Sequence, residues 1–140
     1  MADNLSSGSS TDLGKLVLRL TIGGLILMHG ISKLGGSIGW IADMLAKNGL
    51  PSVLSYGVYL GEVVAPVLLI IGLWTRPAAL VIVINMLFAI GMVHMHELGT
   101  ITKMGAWAIE TQALFLFGAL AVALLGAGRF SVGGNGGRWN

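Results

Sequence analysis

The fold is decided by the stretch LGKLVLRLTIGGLILMHGISK, residues 13–33. It is long and apolar enough to cross a bilayer, yet it carries Lys15, Arg19, His29 and Lys33. At 100° per residue, these four side chains fall within about 80° of one another around a helix. A charged side chain at the centre of a bilayer costs roughly 2.5–3.5 kcal/mol, so this stripe should face protein or a water-filled cavity. The other helices must therefore supply polar partners for it.

The composition of the whole chain is that of an integral membrane protein. Of its 140 residues, 55% are hydrophobic and 10% are charged, whereas soluble domains carry about 25% charged residues. Backbone polar groups must be satisfied internally in lipid, and the alternation of a β-barrel is absent, so the pattern favours α-helices. We expect a lipid bilayer as the environment and no nucleic-acid partner, because the formal net charge is only +2.

Four apolar windows predict an all-α, antiparallel bundle of four transmembrane helices. The windows cover residues 13–34, 53–73, 77–98 and 104–125, with a short interfacial helix between the first two. They form one membrane domain, residues 13–130, between a predicted disordered polar tail, residues 1–12, and a predicted flexible glycine-rich tail, residues 131–140. The excess of Lys and Arg beside the termini favours a multi-pass protein of the plasma (inner) membrane with both termini in the cytoplasm.

The second window carries Glu62 near its middle, four residues before Pro66. Proline lacks the N–H that the Glu62 carbonyl would accept in a regular helix, so a carboxylate and a freed carbonyl should lie together. An ionisable group at this depth is a candidate functional site. A structural ion pair with Arg19, His29 or Lys33 is the alternative, and the two interpretations are compatible.

Polar residues of the other windows extend this prediction. Asn85 lies inside the third window, and His96 shares a helix face with it. An antiparallel bundle gathers a set of polar groups at the non-cytoplasmic side, namely His29, Lys33, His94, His96, Glu97 and Glu110. We take Glu62, His29, Lys33 and Glu110 as candidates for proton transfer and hydrogen bonding. Arg19 and Asn85 are interpreted as a structural charge network.

The sequence offers little for a metal or a covalent cofactor. It has no cysteine, which excludes disulfides and thiolate ligands. His94 and Glu97 are three residues apart and are the remaining candidates for a shared metal. The second Glu-x-x-His motif of carboxylate-bridged bundles is missing, so we expect no metal. No haem, flavin or iron–sulfur motif is visible.

A series of short motifs runs through the hydrophobic part of the chain. In order they are Arg19, His29-Gly30 and Lys33; Gly61-Glu62; Gly72-Leu73-Trp74-Thr75-Arg76; Glu110; and Gly126-x-Gly128-Arg129-Phe130-Ser131. Together they resemble the DoxX family of small four-helix membrane proteins, which is related to the small subunit of thiosulfate:quinone oxidoreductase. The chain departs from the family pattern at Ala127, where a proline is expected, and after Ser131, where an aspartate is expected.

The resemblance implies a role in quinone-linked oxidoreduction, as a subunit of a membrane complex or as a homo-oligomer. A quinone head needs hydrogen-bond partners at its carbonyls, for which His29, Glu62 and His96 are the candidates, and its tail needs an apolar groove. The sequence leaves open whether the chain is itself an enzyme. Two other functions also remain open: a non-enzymatic accessory or assembly protein, and a carrier of small solutes or protons.

Overall fold

The computed structural model describes residues 2–36 and 38–140 of the chain. Met1, which belongs to the predicted polar tail, and Ser37 lie outside the described residues. Within them the chain forms a series of helices, which we number α1 (Ala2–Leu34), α2 (Gly39–Lys47), α3 (Ser52–Ile71), α4 (Thr75–Glu97) and α5 (Glu110–Leu125). The short helix α2 lies where the sequence predicts a helix between the first two windows.

Three of the described helices, α1, α3 and α4, are long and apolar enough to cross a membrane. This confirms an all-helical protein of membrane type. The fourth window is apolar too, but it becomes helical only at Glu110, so that α5 has 16 residues and a length of about 24 Å. The later start has a local cause: the segment before α5 forms a tight loop, closed by a β-bridge between Ile101 and Trp107.

The first helix begins earlier than the sequence predicts. Residues 2–12, predicted as a disordered tail, are the start of α1. Asp12 therefore lies inside the helix, where its carboxylate is 3.9 Å from Lys15 Nζ and 3.8 Å from Arg129 Nε. Extending an existing helix adds one hydrogen bond for each residue fixed, and no proline interrupts this one, so polar residues can continue it.

The glycine-rich C-terminal segment lies against the helices, and its predicted flexibility stays a prediction. The backbone N–H groups of Val132 and Gly133 donate to the carbonyls of Ile71 and Gly72, each at 3.0 Å. The Asn140 side chain accepts a hydrogen bond of 2.9 Å from the Thr75 hydroxyl. The segment thereby satisfies backbone groups that are unpaired at the end of α3 and the start of α4.

The helix α3 is irregular where it carries Glu62. It begins as a 3₁₀ turn, and residues Leu60–Val64 form a π-helical turn just before Pro66. Proline cannot donate to the Glu62 carbonyl, and a π turn is one way in which a helix accommodates such a gap. A second π turn, Ile90–His94, lies near the end of α4. The first of these π turns contains Glu62, and the second contains His94.

Helices α1 and α3 make their closest approach at Gly30 of α1. A Cβ atom at this position would lie 2.6 Å from the carbonyl carbon of Glu62 and closer still to its oxygen. Glycine therefore lets the helix backbones pack directly against each other. Apolar side chains fill the centre of the bundle. The least exposed among them are Ile26, Leu69, Ala79, Ile82, Ala119 and Val122.

Gly30→Ala should separate α1 from α3 beside Glu62, because the new Cβ meets backbone rather than a flexible side chain. We expect a loss of about 1–3 kcal/mol in the free energy of unfolding, as for other overpacked sites. The measurement is an SDS titration of the purified protein in mixed micelles. Gly24→Ala is the matched control, since a Cβ there meets nothing within 4 Å. Equal stability of the two variants would contradict a close approach at Gly30.

Candidate buried polar site

A lysine and a glutamate from two different helices form the centre of the site. Lys33 Nζ of α1 donates to Glu62 Oε1 of α3 at 2.6 Å. Glu62 is 5% exposed, and the side chain of Lys33 is 32% exposed. From α4, Asn85 Nδ2 donates to the same carboxylate oxygen at 3.4 Å. Three helices therefore converge on one carboxylate, and the ion pair with Lys33 is the one, among those the sequence allowed, that the structure contains.

The second oxygen of this carboxylate has no hydrogen-bond partner among the described residues. Glu62 Oε2 is buried, whereas the great majority of buried polar atoms in proteins are hydrogen bonded. Leaving such an atom unsatisfied costs about 1–3 kcal/mol, and more for a charged group. A donor in an adjoining cavity, either water or a bound molecule, would satisfy this oxygen.

Glu62 lines a cavity of ≈ 160 Å³ between the helices. A cavity of about 150 Å³ in another protein accommodates a benzene ring, so this one has room for a single six-membered ring. His29 and Lys33 of α1 line one part of it, and the His29 ring packs edge-on against Phe115 at 5.7 Å between centroids. The remaining lining residues are Ile26, Trp40, Met86, Ala89, Val93, His94, Thr111 and Gln112.

His94 contributes a second polar group to the cavity. Its Nδ1 lies 2.7 Å from Glu97 Oε2, and its Nε2 lies 3.1 Å from Gln112 Nε2. The Gln112 amide N–H can donate only to an unprotonated ring nitrogen, so His94 Nε2 carries no proton. The proton of a neutral His94 is therefore on Nδ1, and this N–H donates to Glu97. The side chains of His94 and Glu97 are 25% and 34% exposed, so this pair lies between the cavity and the surface.

The structure does not bring Arg19 to this site. Arg19 is fully buried, about 21 Å along α1 from Lys33. Its Nη1 donates to the carbonyls of Leu69 at 3.0 Å and Ile70 at 3.3 Å, and its Nη2 to that of Phe130. Of the three ion-pair partners that the sequence allows for Glu62, Arg19 is therefore not the one found, and Asn85 lies with Glu62 rather than with Arg19. The open carbonyls and negative dipole at the end of α3 provide the alternative partner for the guanidinium.

Two other residues chosen from the sequence lie away from the cavity. Glu110 is exposed as the first residue of α5, and the side chain of His96 is 77% exposed. His96 was selected because it shares a face with Asn85 on a regular helix. The π turn in α4 shifts the register of the residues that follow it, and it is His94 that lines the cavity.

Sequence reasoning missed two further residues of the cavity wall, Gln112 and Trp40. Gln112 had a signal, because it is an isolated polar residue at the start of a strongly apolar segment. Trp40 had no such signal in the sequence. Among the described residues, no group of three or more His, Asp or Glu side chains is arranged to hold a metal ion. His94 and Glu97, the metal candidates of the sequence, are hydrogen bonded to each other.

Comparison with known proteins relates this chain to one family. The chain is 33% identical over 84 residues, 60% of its length, to a protein of Bacillus subtilis (strain 168) named "Putative oxidoreductase CatD". The match spans 58% of that relative's own length. No solved structure matches the chain. The DoxX family model matches residues 14–95, which include Lys33, Glu62, Asn85 and His94. The chain therefore belongs to the DoxX family.

Proposed function

We propose that this protein is a membrane subunit of quinone-linked oxidoreduction, with the ring of the quinone in the cavity beside Lys33 and Glu62. The observation that carries the proposal is the buried Glu62 Oε2, which has no hydrogen-bond partner in the described part of the chain and belongs to a residue lining the cavity. The cavity volume of ≈ 160 Å³ suits one ring. The word oxidoreductase in the name of the B. subtilis relative is consistent with redox chemistry in this family.

The side chains of the cavity match the needs of such a ring at its oxygens. Lys33 Nζ and the ring N–H of His29 can donate to carbonyl oxygens. Glu62 Oε2 can accept a hydrogen bond from a hydroxyl, or donate one when it is protonated. A bound quinone would supply the exchange of two electrons and two protons. The electrons would come from a reduced cofactor of a partner protein, because this sequence carries no haem, flavin or iron–sulfur motif.

Protons need a route between the cavity and water, and His94 provides one. A proton taken up at Nε2 gives an imidazolium that the Glu97 carboxylate, 2.7 Å away, stabilises. The Gln112 amide must then rotate to present its oxygen, since an imidazolium has no acceptor. The partly exposed positions of His94 and Glu97 let the proton exchange with solvent.

The proposed setting is the plasma (inner) membrane, with both termini in the cytoplasm and the cavity opening to the other side. In this arrangement α5 is the fourth span. Its length of about 24 Å is shorter than a typical hydrocarbon core of about 30 Å, and local thinning of the bilayer accommodates such a mismatch at modest cost. The protein would work as a homo-oligomer or within a membrane complex that supplies the electron donor.

The test is native mass spectrometry of gently solubilised protein, with the lipid extract analysed alongside. We expect about one quinone for each chain, and saturable binding of ubiquinone-1, a benzoquinone with one isoprene unit, to delipidated protein in nanodiscs. Protein that carries phospholipid alone and does not bind ubiquinone-1 would contradict the proposal. That outcome would favour an accessory protein or a carrier of small solutes.

A further inference from the structure

A second cavity lies on the other side of Asn85. Its volume is ≈ 320 Å³, and apart from Asn85 the side chains around it are apolar. It lies between α2, α3 and α4, and we call it the apolar groove; its lining residues are Ile41, Leu54, Gly57, Val58, Leu60, Val81, Ile84, Asn85 and Phe88. Several of them are exposed, among them Leu60 at 51% and Ile84 at 64%. On helices of membrane-spanning length, this exposed face is the one that lipid covers.

The apolar groove lies next to the buried polar site. A small cavity of ≈ 60 Å³ lies between them. It shares Lys33 and Glu62 with the polar cavity, and Val58 and Phe88 with the groove. Asn85 stands at the junction, where its amide is turned toward Glu62 Oε1 at 3.4 Å. The polar cavity, the small cavity and the apolar groove therefore lie side by side and share walls.

We infer that the apolar groove binds the hydrocarbon tail of the same molecule whose ring occupies the polar cavity. The inference rests on the proposed function and specifies its ligand as an amphipathic quinone with a single tail. The apolar groove offers such a tail an apolar surface beside the site that holds the ring. A tail that passes Asn85 would enter the groove, whose other lining side chains are apolar.

Gly57 offers a way to fill the groove without disturbing the fold. It lines the groove, and a Cβ atom at this position would meet nothing within 4 Å. Gly57→Leu should therefore place its side chain in the space of the tail. Val64→Leu is the matched control, because Val64 is an exposed residue of the same helix and lines neither the groove nor the polar cavity.

The experiment compares the affinities of ubiquinone-1 and decylubiquinone, which share a head group and differ in tail length. Both are titrated into protein in nanodiscs, with concentrations expressed per lipid. We expect wild-type protein and Val64→Leu to bind decylubiquinone about tenfold more tightly, equivalent to about 1.4 kcal/mol. Gly57→Leu should lose this preference and retain its affinity for ubiquinone-1.

Each failure has a distinct meaning. Absence of saturable binding of either quinone would overturn both the proposed function and the groove inference. Binding of both quinones with equal affinity in wild-type protein would overturn the groove inference alone. If Gly57→Leu keeps the preference for decylubiquinone over ubiquinone-1, the groove inference alone is also overturned. If tail length has no effect and Gly57→Leu lowers the number of retained phospholipids, the groove holds a phospholipid chain and the inference is wrong.

Discussion

Glu62→Ala is expected to weaken the binding of ubiquinone-1 about 100-fold, equivalent to about 2.7 kcal/mol. The substitution removes the unpartnered Oε2 and the acceptor of the Lys33 ammonium together. Hydrogen bonds to a charged group contribute about 1.5–3 kcal/mol each, which sets this magnitude. Lys33 also loses the carboxylate that holds its ammonium in place, so its position relative to a bound ring becomes variable.

The free energy of unfolding of the Glu62→Ala variant should fall by much less than its free energy of binding ubiquinone-1. The Lys33 side chain is 32% exposed, so its ammonium can turn toward water when the carboxylate is gone. Glu110→Ala is the matched control for the binding measurement. It removes the same type of side chain from an exposed position outside the cavity, and its affinity should stay close to wild type. Wild-type affinity of Glu62→Ala would exclude Glu62 from the binding site.

Arg19→Ala is expected to lower the free energy of unfolding by about 3–5 kcal/mol, because hydrogen bonds to a charged group contribute about 1.5–3 kcal/mol each. Three carbonyl oxygens, those of Leu69, Ile70 and Phe130, lose their guanidinium donor. The buried volume of the side chain is also left empty, which adds the cost of a cavity. An SDS titration in mixed micelles measures the change.

Arg19→Lys should restore part of this stability, because an ammonium can reach one or two of the carbonyls but lacks the planar fork that bonds all of them. Arg129→Ala is the control, since that side chain is 51% exposed and makes a long ion pair of 3.8 Å with Asp12. Its stability should change by less than about 1 kcal/mol. Equal stability of Arg19→Ala and wild type would show that the contacts of Arg19 do not hold α3 and the C-terminal segment together.

Much of the fold could be predicted from apolar length and from the placement of charges. The stripe on α1 indicated that Lys33 and His29 face the interior, and both line the cavity with Glu62. Antiparallel connection of the helices was enough to bring these three residues together. The role that we assign to them stays a prediction, since geometry alone does not identify a ligand.

The errors come from places where regular helical geometry fails or where backbone groups act as partners. Angles computed for a regular helix selected His96, whereas the π turn at Ile90–His94 leaves His94 in the cavity wall. Charge matching between side chains suggested Arg19 as a partner of Glu62. The open carbonyls at the end of α3, which a list of charged residues does not show, bind Arg19 instead.

The separation of Arg19 from Lys33 along α1 determines how substitutions at the two ends of the bundle combine. The two residues are about 21 Å apart and share no partner among the described residues. Effects of substitutions at such distant sites usually add. Substitutions that line the cavity can therefore change which molecule fits there, while the contacts of Arg19 at the opposite end continue to hold the helices together. One scaffold of this size can in this way serve proteins with different activities.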